Sequence, residues 1–422
     1  MKYVARIYDT LLHEKLQSSG ATLVEGPKWC GKTTTCLQAC KSKLLMQDPA
    51  VRQSNLELAE ISPQLLLEGK TPRLIDEWQL APSIWDSVRC EVDQRQKMGQ
   101  FLLTGSSTPP DVSAISHSGA GRINRVKMRT MSLFESGDSN GKVSLNALFD
   151  SNANVAASAK SEIDEIAYLI CRGGWPASIG RSERVSLAQP YDYIDAIVQV
   201  DLKNFSGIKR NPQRIKDVMR IYARYTAGQG TVSKMLADLH GSDVGISDAT
   251  LRNYLEALEN MFVIEELNSW NPNLRSKAAV RTTPVRHFVD SSIAAAVLGV
   301  NPKGLLSDLE TFGLLFEGMC IRDLRVYMDA NGGQVSHYRD SNGLECDAVV
   351  HKRNGEYGLI EVKLGGSRLI EEGAANLNRF ESIIDSKTQG APKFKMVLIG
   401  VGEYAYRRKD GVLVVPICSL KD

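Results

Sequence analysis

The sequence has no long apolar run. No stretch approaches the ~20 apolar residues that cross a bilayer. The N-terminus, MKYVARIYDTLLHEKL, carries charges throughout and has no apolar core of signal-peptide length, so neither membrane insertion nor export is expected. A dominant charge of either sign is also missing. The 51 Lys and Arg against 49 Asp and Glu leave a net +2, so any nucleic-acid surface has to be a local patch. The eight cysteines form no CxxC pair, which leaves no zinc-ligand spacing, and reduced thiols in a cytoplasmic protein are the expectation. There is no internal repeat. The longest low-complexity stretch, 151–160, reads as a surface connection. What remains is a chain of 422 residues with globular composition, long enough for roughly two to four domains.

Against that plain background one motif stands out. The apolar run 21–25 (ATLVE) predicts a short strand, 34–40 predicts a helix, and between them lies Gly26-Pro-Lys-Trp-Cys-Gly31-Lys32-Thr33. This fits G-x-x-x-x-G-K-[ST] in the strand–loop–helix context that a phosphate-binding loop requires. Glycines let backbone N–H groups turn toward phosphates, and the helix N-terminus adds a positive field. ATP with Mg²⁺ is the expected ligand. Gly26, Pro27, Lys28, Trp29, Cys30, Gly31, Lys32, Thr33 and Thr34 are its expected contacts, with Lys32 on the β/γ-phosphates and the Thr33 hydroxyl on Mg²⁺.

A second apolar strand ends in Asp76-Glu77. After a phosphate-binding loop such a pair reads as Asp76 holding Mg²⁺ indirectly and Glu77 polarising the attacking water. A third strand, 100–104, ends in hydroxyls. Thr104, with Ser106 second, is the expected sensor of the γ-phosphate.

In this order VEGPKWCGKTTT, LIDEWQLAPSIWDSVRCEVD and FLLTGSS resemble the bacterial and archaeal AAA-type ATPases that carry a C-terminal domain of unknown function, DUF4143. The resemblance covers nearly the whole chain. It implies an AAA+-like α/β core whose site is completed by an arginine, offered in the same chain or to a neighbour in a homo-oligomer. Arg122 matches the family's Gly-Arg position, with Arg125 and Arg129 as competitors.

The middle of the chain reads as helical. Helices are expected at 162–171, 191–204, 212–227, 231–239 and 248–260, with a Gly-Gly-Trp-Pro break at 173–176 and a strand at 262–267. Helix, turn 241–245, helix and strand read as a winged helix, in which Arg252 and Asn253, with Arg275 and Lys277 downstream, are the exposed candidates for DNA. Glu256, Glu259, Glu265 and Glu266 oppose that reading because they repel phosphate.

Further on, a helix carrying Glu317 precedes strands at 335–339, 344–350 and 357–363, then a helix at 370–380 and a buried strand at 395–400. Asp347 and Glu361-Val-Lys363 on successive strands resemble a PD-(D/E)XK nuclease fold, although Cys346 stands where the first Asp is usually preceded by Pro. In that chemistry Glu317, Asp347 and Glu361 ligate Mg²⁺ and Lys363 acts at the phosphate. Glu361 and Lys363 share a face because strand side chains alternate with period two.

The expected architecture is therefore α/β: an AAA-like P-loop ATPase core at 1–150, a helical and winged-helix-like segment at 151–283, and a nuclease-like domain at 284–422. The expected function is ATP hydrolysis coupled to DNA or to a partner protein. The alternative is a nucleotide-dependent switch with slow hydrolysis and an inert nuclease-like fold.

Overall fold

A computed structural model describes residues 3–108, 117–150, 155–202, 210–240, 245–270, 283–340, 342–384 and 390–422. The chain is mixed α/β and is built on two sheets joined by a layer of helices.

The first sheet has five parallel strands in the order β2-β3-β4-β1-β5: β1 (Ala21–Glu25), β2 (Ser42–Leu45), β3 (Arg73–Asp76), β4 (Phe101–Gly105) and β5 (Ile123–Lys127). Helices α1 (Ile7–Ser18), α2 (Lys32–Ala39), α3 (Arg52–Ile61) and α4 (Ser83–Arg95) cover it. Strand alternation divides the apolar residues between the two faces. Ala21, Leu23, Ile75, Phe101 and Leu103 pack in one cluster with Ile84, Trp85 and Val88 of α4. Val24, Leu74, Leu102 and Val126 face the other way, into a cluster shared with α1, α2 and the rest of the molecule.

The second sheet runs β12-β11-β10-β9-β8. Strands β8 (Gly333–Arg339), β9 (Glu345–Lys352) and β10 (Tyr357–Gly365) are antiparallel, while β11 (Lys395–Arg407) and β12 (Leu413–Pro416) continue in parallel. One face, with Ala348, Val350, Ile360 and Leu398, packs in the large cluster with helix Leu309–Ala330. The other, with Val349, Leu359, Val397 and Ile399, packs on helix Ser367–Ile383.

Between the sheets lie α5 (Leu133–Ser136), α6 (Ile163–Arg172), α7 (Glu183–Ala196), α8 (Pro212–Arg224), α9 (Val232–His240), α10 (Asp248–Asn260), α11 (Ser291–Leu298) and α12 (Pro302–Ser307). The long helix Leu309–Ala330 is α13 and Ser367–Ile383 is α14. Ser247 caps α10 by accepting from Thr250 N–H, and Leu251, Tyr254, Leu255 and Leu258 are buried on one face, as the spacing predicts.

Several expectations are corrected. Residues 262–267 form no continuous strand; Ile264 and Leu267 make isolated antiparallel bridges to Phe288 and Val285. Glu265 and Glu266 are not a phosphate-repelling surface. Glu266 pairs with Arg286, and Glu265 is largely buried among Arg129, Lys127 and Arg325. Arg252 is exposed as expected, with its guanidinium on Asp248 one turn earlier, while Asn253 is half-buried and accepts from Arg210. Arg275, Lys277 and most of the 241–245 turn lie outside the described residues.

The expected boundaries at 150 and 283 do not coincide with breaks in packing. The stretch expected to be a surface connection supplies β7 (Ala157–Ser161), which pairs antiparallel with β11, and β6 (Val143–Ser144) pairs with β13 (Leu420–Lys421). Helix α11 packs on α6, α7 and α8, so it belongs with the middle segment.

The junction of the three parts is ionic. Arg129, beyond β5, donates to both carboxylate oxygens of Glu265 at 2.8 and 2.6 Å and pairs with Asp329 of α13. Burial alone would raise the Glu265 carboxyl; Arg129, then Arg325 and Lys127, outweigh it and hold the group well below the usual carboxylate range. Its stabilising contribution is therefore present above the ordinary carboxyl value of 4.5 and lost only as pH falls through the lower folded value. Glu265→Ala, which leaves three cations short of their partner, is expected to cost about 3–5 kcal/mol. Urea unfolding at pH 7 should show an earlier midpoint than wild type, with the difference shrinking in acid; an unshifted midpoint contradicts this account.

Candidate functional site

In a parallel sheet every strand ends at the same edge, and ligands bind there. The loop after β1, the acids after β3 and the hydroxyls after β4 therefore meet. Two backbone conformations make the loop. Gly26 has φ +151° and lies so close to β5 that a Cβ would stand 2.0 Å from Met128 O; Gly31, at φ +100°, caps α2. Lys32 is buried, its Nζ donating to Gly26 O and Pro27 O at 2.8 Å each, so the ammonium closes the loop on itself.

The acids are ordered by hydroxyls. Asp76 Oδ1 accepts from Thr33 Oγ1 and from Thr104 Oγ1, both at 2.6 Å. Glu77 has φ +56°, its N–H donates to Thr104 Oγ1 at 3.1 Å, and its Oε2 accepts from Ser106 Oγ at 2.8 Å and Gln79 Nε2 at 2.5 Å. Thr104 and Ser106, two residues apart, thus hold one acid each. Thr104, expected to sense a phosphate, is fully buried and spends its hydroxyl on Asp76 and the Glu77 amide. Thr33 and Asp76 form an all-oxygen donor pair of the kind a hard divalent cation takes.

The arginine expectation is corrected for the same-chain site. Arg122 precedes β5, whose Ile123 is in register with Ala21 at the start of β1. The loop follows the other end of that five-residue strand, about 16 Å away at ~3.3 Å per residue. Arg122 pairs there with Asp93 at 2.9 Å. Arg125 pairs with Glu25 at 3.1 Å, and Arg129 is committed to Glu265 and Asp329.

Other contacts to the loop have no sequence signature. Arg6 Nη1 donates to Cys30 O at 2.9 Å. Lys28 pairs with Asp201 at 2.7 Å, beyond α7, and the Trp29 ring, 43% exposed, meets the buried Tyr193 of α7 edge-on at 5.7 Å. Only the aromatic and charged choice at the variable loop positions 28 and 29 hinted that something else touches the loop.

In the second sheet, Glu361, Lys363 and Asp347 come together. The β9–β10 ladder ends at Ala348–Ile360, and the next N–H, of Val362, donates to Asp347 Oδ2 at 2.8 Å instead of to a strand partner. Lys363 Nζ donates to Glu361 Oε2 at 2.8 Å and to Asp347 Oδ2 at 3.4 Å; Asn376 of α14 donates to Glu361 Oε1 at 2.8 Å. Burial, then Asp347, pushes the Glu361 carboxyl up to about 8. Burial, then Asp347, likewise raises Glu317 of α13 well above the carboxylate range. A cavity of about 220 Å³ opens beside them, lined by Glu317, His337, Arg339 and Asp347 among others. Among the described residues no group of three or more His, Cys, Asp or Glu is arranged to hold a metal ion. No described helix is long and apolar enough to cross a membrane.

Residues 18–136 match the family described as AAA domain. This part of the chain carries an AAA domain. After it, residues 163–304 match a domain of unknown function, DUF8612, and residues 312–420 match another, DUF4143. Over 408 residues the chain is 23% identical to uncharacterized proteins of Mycobacterium bovis and Mycobacterium tuberculosis, covering 96% of this chain and 82% of each relative. Among solved structures, a Walker-type ATPase of Pyrococcus abyssi is similar at 13% identity and a TM-score of 0.42, covering 71% of this chain and 96% of that one. The AAA domain points to nucleotide binding.

Thr104→Val is expected to cost about 1–3 kcal/mol by leaving buried partners short. If the site hydrolyses a nucleoside triphosphate, as proposed below, Thr104→Val should slow turnover more than Ser106→Ala does, because Thr104 holds the Asp76 carboxylate and also accepts from the Glu77 amide. Melting curves and steady-state phosphate release measure the two effects, and equal turnover in both variants contradicts the ordering.

Proposed function

We propose that the chain binds ATP with Mg²⁺ and hydrolyses it, and that its C-terminal domain couples turnover to DNA or to a partner protein. The reading is carried by the convergence of Lys32, Thr33, Asp76 and Glu77 on one sheet edge, with Thr33 and Asp76 in direct contact. The amides of the loop and of the α2 N-terminus bind phosphate oxygens. Lys32 exchanges the Gly26 and Pro27 carbonyls for the β- and γ-phosphates. Thr33 and Asp76 would hold Mg²⁺, which when bound neutralises phosphate charge. Glu77 takes the proton of the attacking water once Ser106 and Gln79 release its carboxylate.

Lys32→Ala is expected to abolish turnover and greatly weaken ATP binding, while Glu77→Gln keeps binding and loses turnover by about 100-fold or more. A phosphate-release assay beside a nucleotide titration tests both. Wild-type turnover in Lys32→Ala removes the ATPase reading.

For the C-terminal domain two readings stand. As a PD-(D/E)XK-like nuclease it would use Glu317, Asp347 and Glu361 for Mg²⁺ and Lys363 at the phosphate. As an inert relative of that fold it would serve for docking, in a switch protein with slow hydrolysis. The second is favoured by the Lys363 ammonium, which pairs with both Glu361 and Asp347 and so balances them from within the chain. Calorimetric titration of the full chain with Mn²⁺, then incubation with plasmid and with single-stranded DNA, separates them. The nuclease reading expects binding heat and cleavage, both lost in Asp347→Ala. The inert reading expects neither, together with a lower melting temperature for Lys363→Ala.

A further inference from the structure

Arg6 lies outside every motif of the sequence, yet its guanidinium is buried under the loop, 3% exposed. All three of its nitrogens are used. Nε donates to Glu135 Oε1 at 2.9 Å, Nη2 to Arg129 O at 3.0 Å, and Nη1 to Cys30 O at 2.9 Å. Glu135 is itself fixed, because it also accepts from the Ile7 and Ser132 amides at 2.8 Å each. The guanidinium plane is therefore set from behind by a carboxylate that cannot turn away.

Cys30 O belongs to the same peptide unit as the Gly31 N–H. In a trans peptide these two groups point in opposite directions. Holding Cys30 O down on Arg6 therefore turns the Gly31 N–H away from Arg6. The loop rests directly on the cation: a Cβ at Gly31 would lie 3.5 Å from Arg6 Nη1. Only a guanidinium offers donors in a planar fork to three acceptors at once; a lysine in its place could keep the charge beside Glu135 but not all three contacts.

We infer that Arg6 is a positioning residue for the phosphate-binding loop, holding the Cys30–Gly31 peptide with its amide presented to phosphate. The inference rests on the nucleotide-binding reading above. It links that site to the ionic junction as well, since Arg6 also grips the backbone carbonyl of Arg129.

The test uses Arg6→Lys in the full chain, with Leu377→Ala, a buried position under the C-terminal sheet, as a control that destabilises without touching the loop. Hydrogen exchange is measured on nucleotide-free protein. Arg6→Lys should speed exchange of the 26–32 amides by about tenfold, the loss of one charge-assisted hydrogen bond, while Leu377→Ala leaves them unchanged. The affinity for ATP should fall by a similar factor, about tenfold, in Arg6→Lys alone. Should Arg6→Lys fail to fold, Glu135→Gln, which loosens the guanidinium, should speed the same amides to a smaller degree. Wild-type exchange over 26–32 in these variants, or equal acceleration in Leu377→Ala, overturns the inference. The exchange measurement needs no nucleotide, so a wild-type chain that binds no ATP would sink the nucleotide reading and still leave the role of Arg6 decided.

Discussion

Arg129, Glu265 and Asp329 come from three separate parts of the chain and meet in one buried ionic cluster. Beside it Arg322 of α13 pairs with Asp290 and Asp323, and Asp290 in turn accepts from Thr130 and from the Gly174 amide. Buried ion pairs contribute little net stability over apolar packing, but a broken one leaves an uncompensated charge in a poor solvent. Such a junction tolerates one arrangement and penalises neighbouring ones. The AAA domain, the helical layer and the second sheet share one apolar cluster, and the ion pairs fix the order in which they meet across it. The phosphate-binding loop is held to the same seam through Arg6, so the site's geometry depends on the junction.

What the sequence made legible follows from range. Gly26–Thr33 and Asp76–Glu77 are short runs whose meaning depends on their own strand, and 21–25 was readable as a short apolar strand. Glu361 and Lys363 were readable for the same reason. The contacts of Arg6, Lys28 and Trp29 were not, because each partner lies far along the chain and nothing local marks it. Arg122 is corrected for the same-chain site only. Its neighbourhood in sequence suggested a role, but strand direction puts it at the edge of the sheet away from this chain's own loop. Glu265 and Glu266 looked like surface charge because sequence gives valence without depth; the arginines that claim them come from other elements.

The two candidate sites handle the cost of clustered carboxylates differently. Around Asp76 and Glu77 the protein spends neutral hydroxyls, which order the acids without cancelling their charge. Around Asp347 and Glu361 it spends a lysine, which cancels much of it, and Glu361 still ionises with difficulty. In the proposed reading the first arrangement leaves negative charge available for a cation and a proton; in the second the lysine has already satisfied part of it.

The pairing of β6 with β13 has a bearing on assembly. Ser139, just past the AAA domain, donates to Leu420 O across 281 residues of chain, and β7 pairs with β11. Contacts of such long range form late, because closing so large a loop costs entropy before any contact repays it. On the ribosome β6 and β7 would emerge behind the AAA domain with their edges bare, and an unpaired edge is a template for the wrong chain. Strands β11 and β13 thus act as a clasp, and the newly made protein stays exposed to misassociation until they have been synthesised.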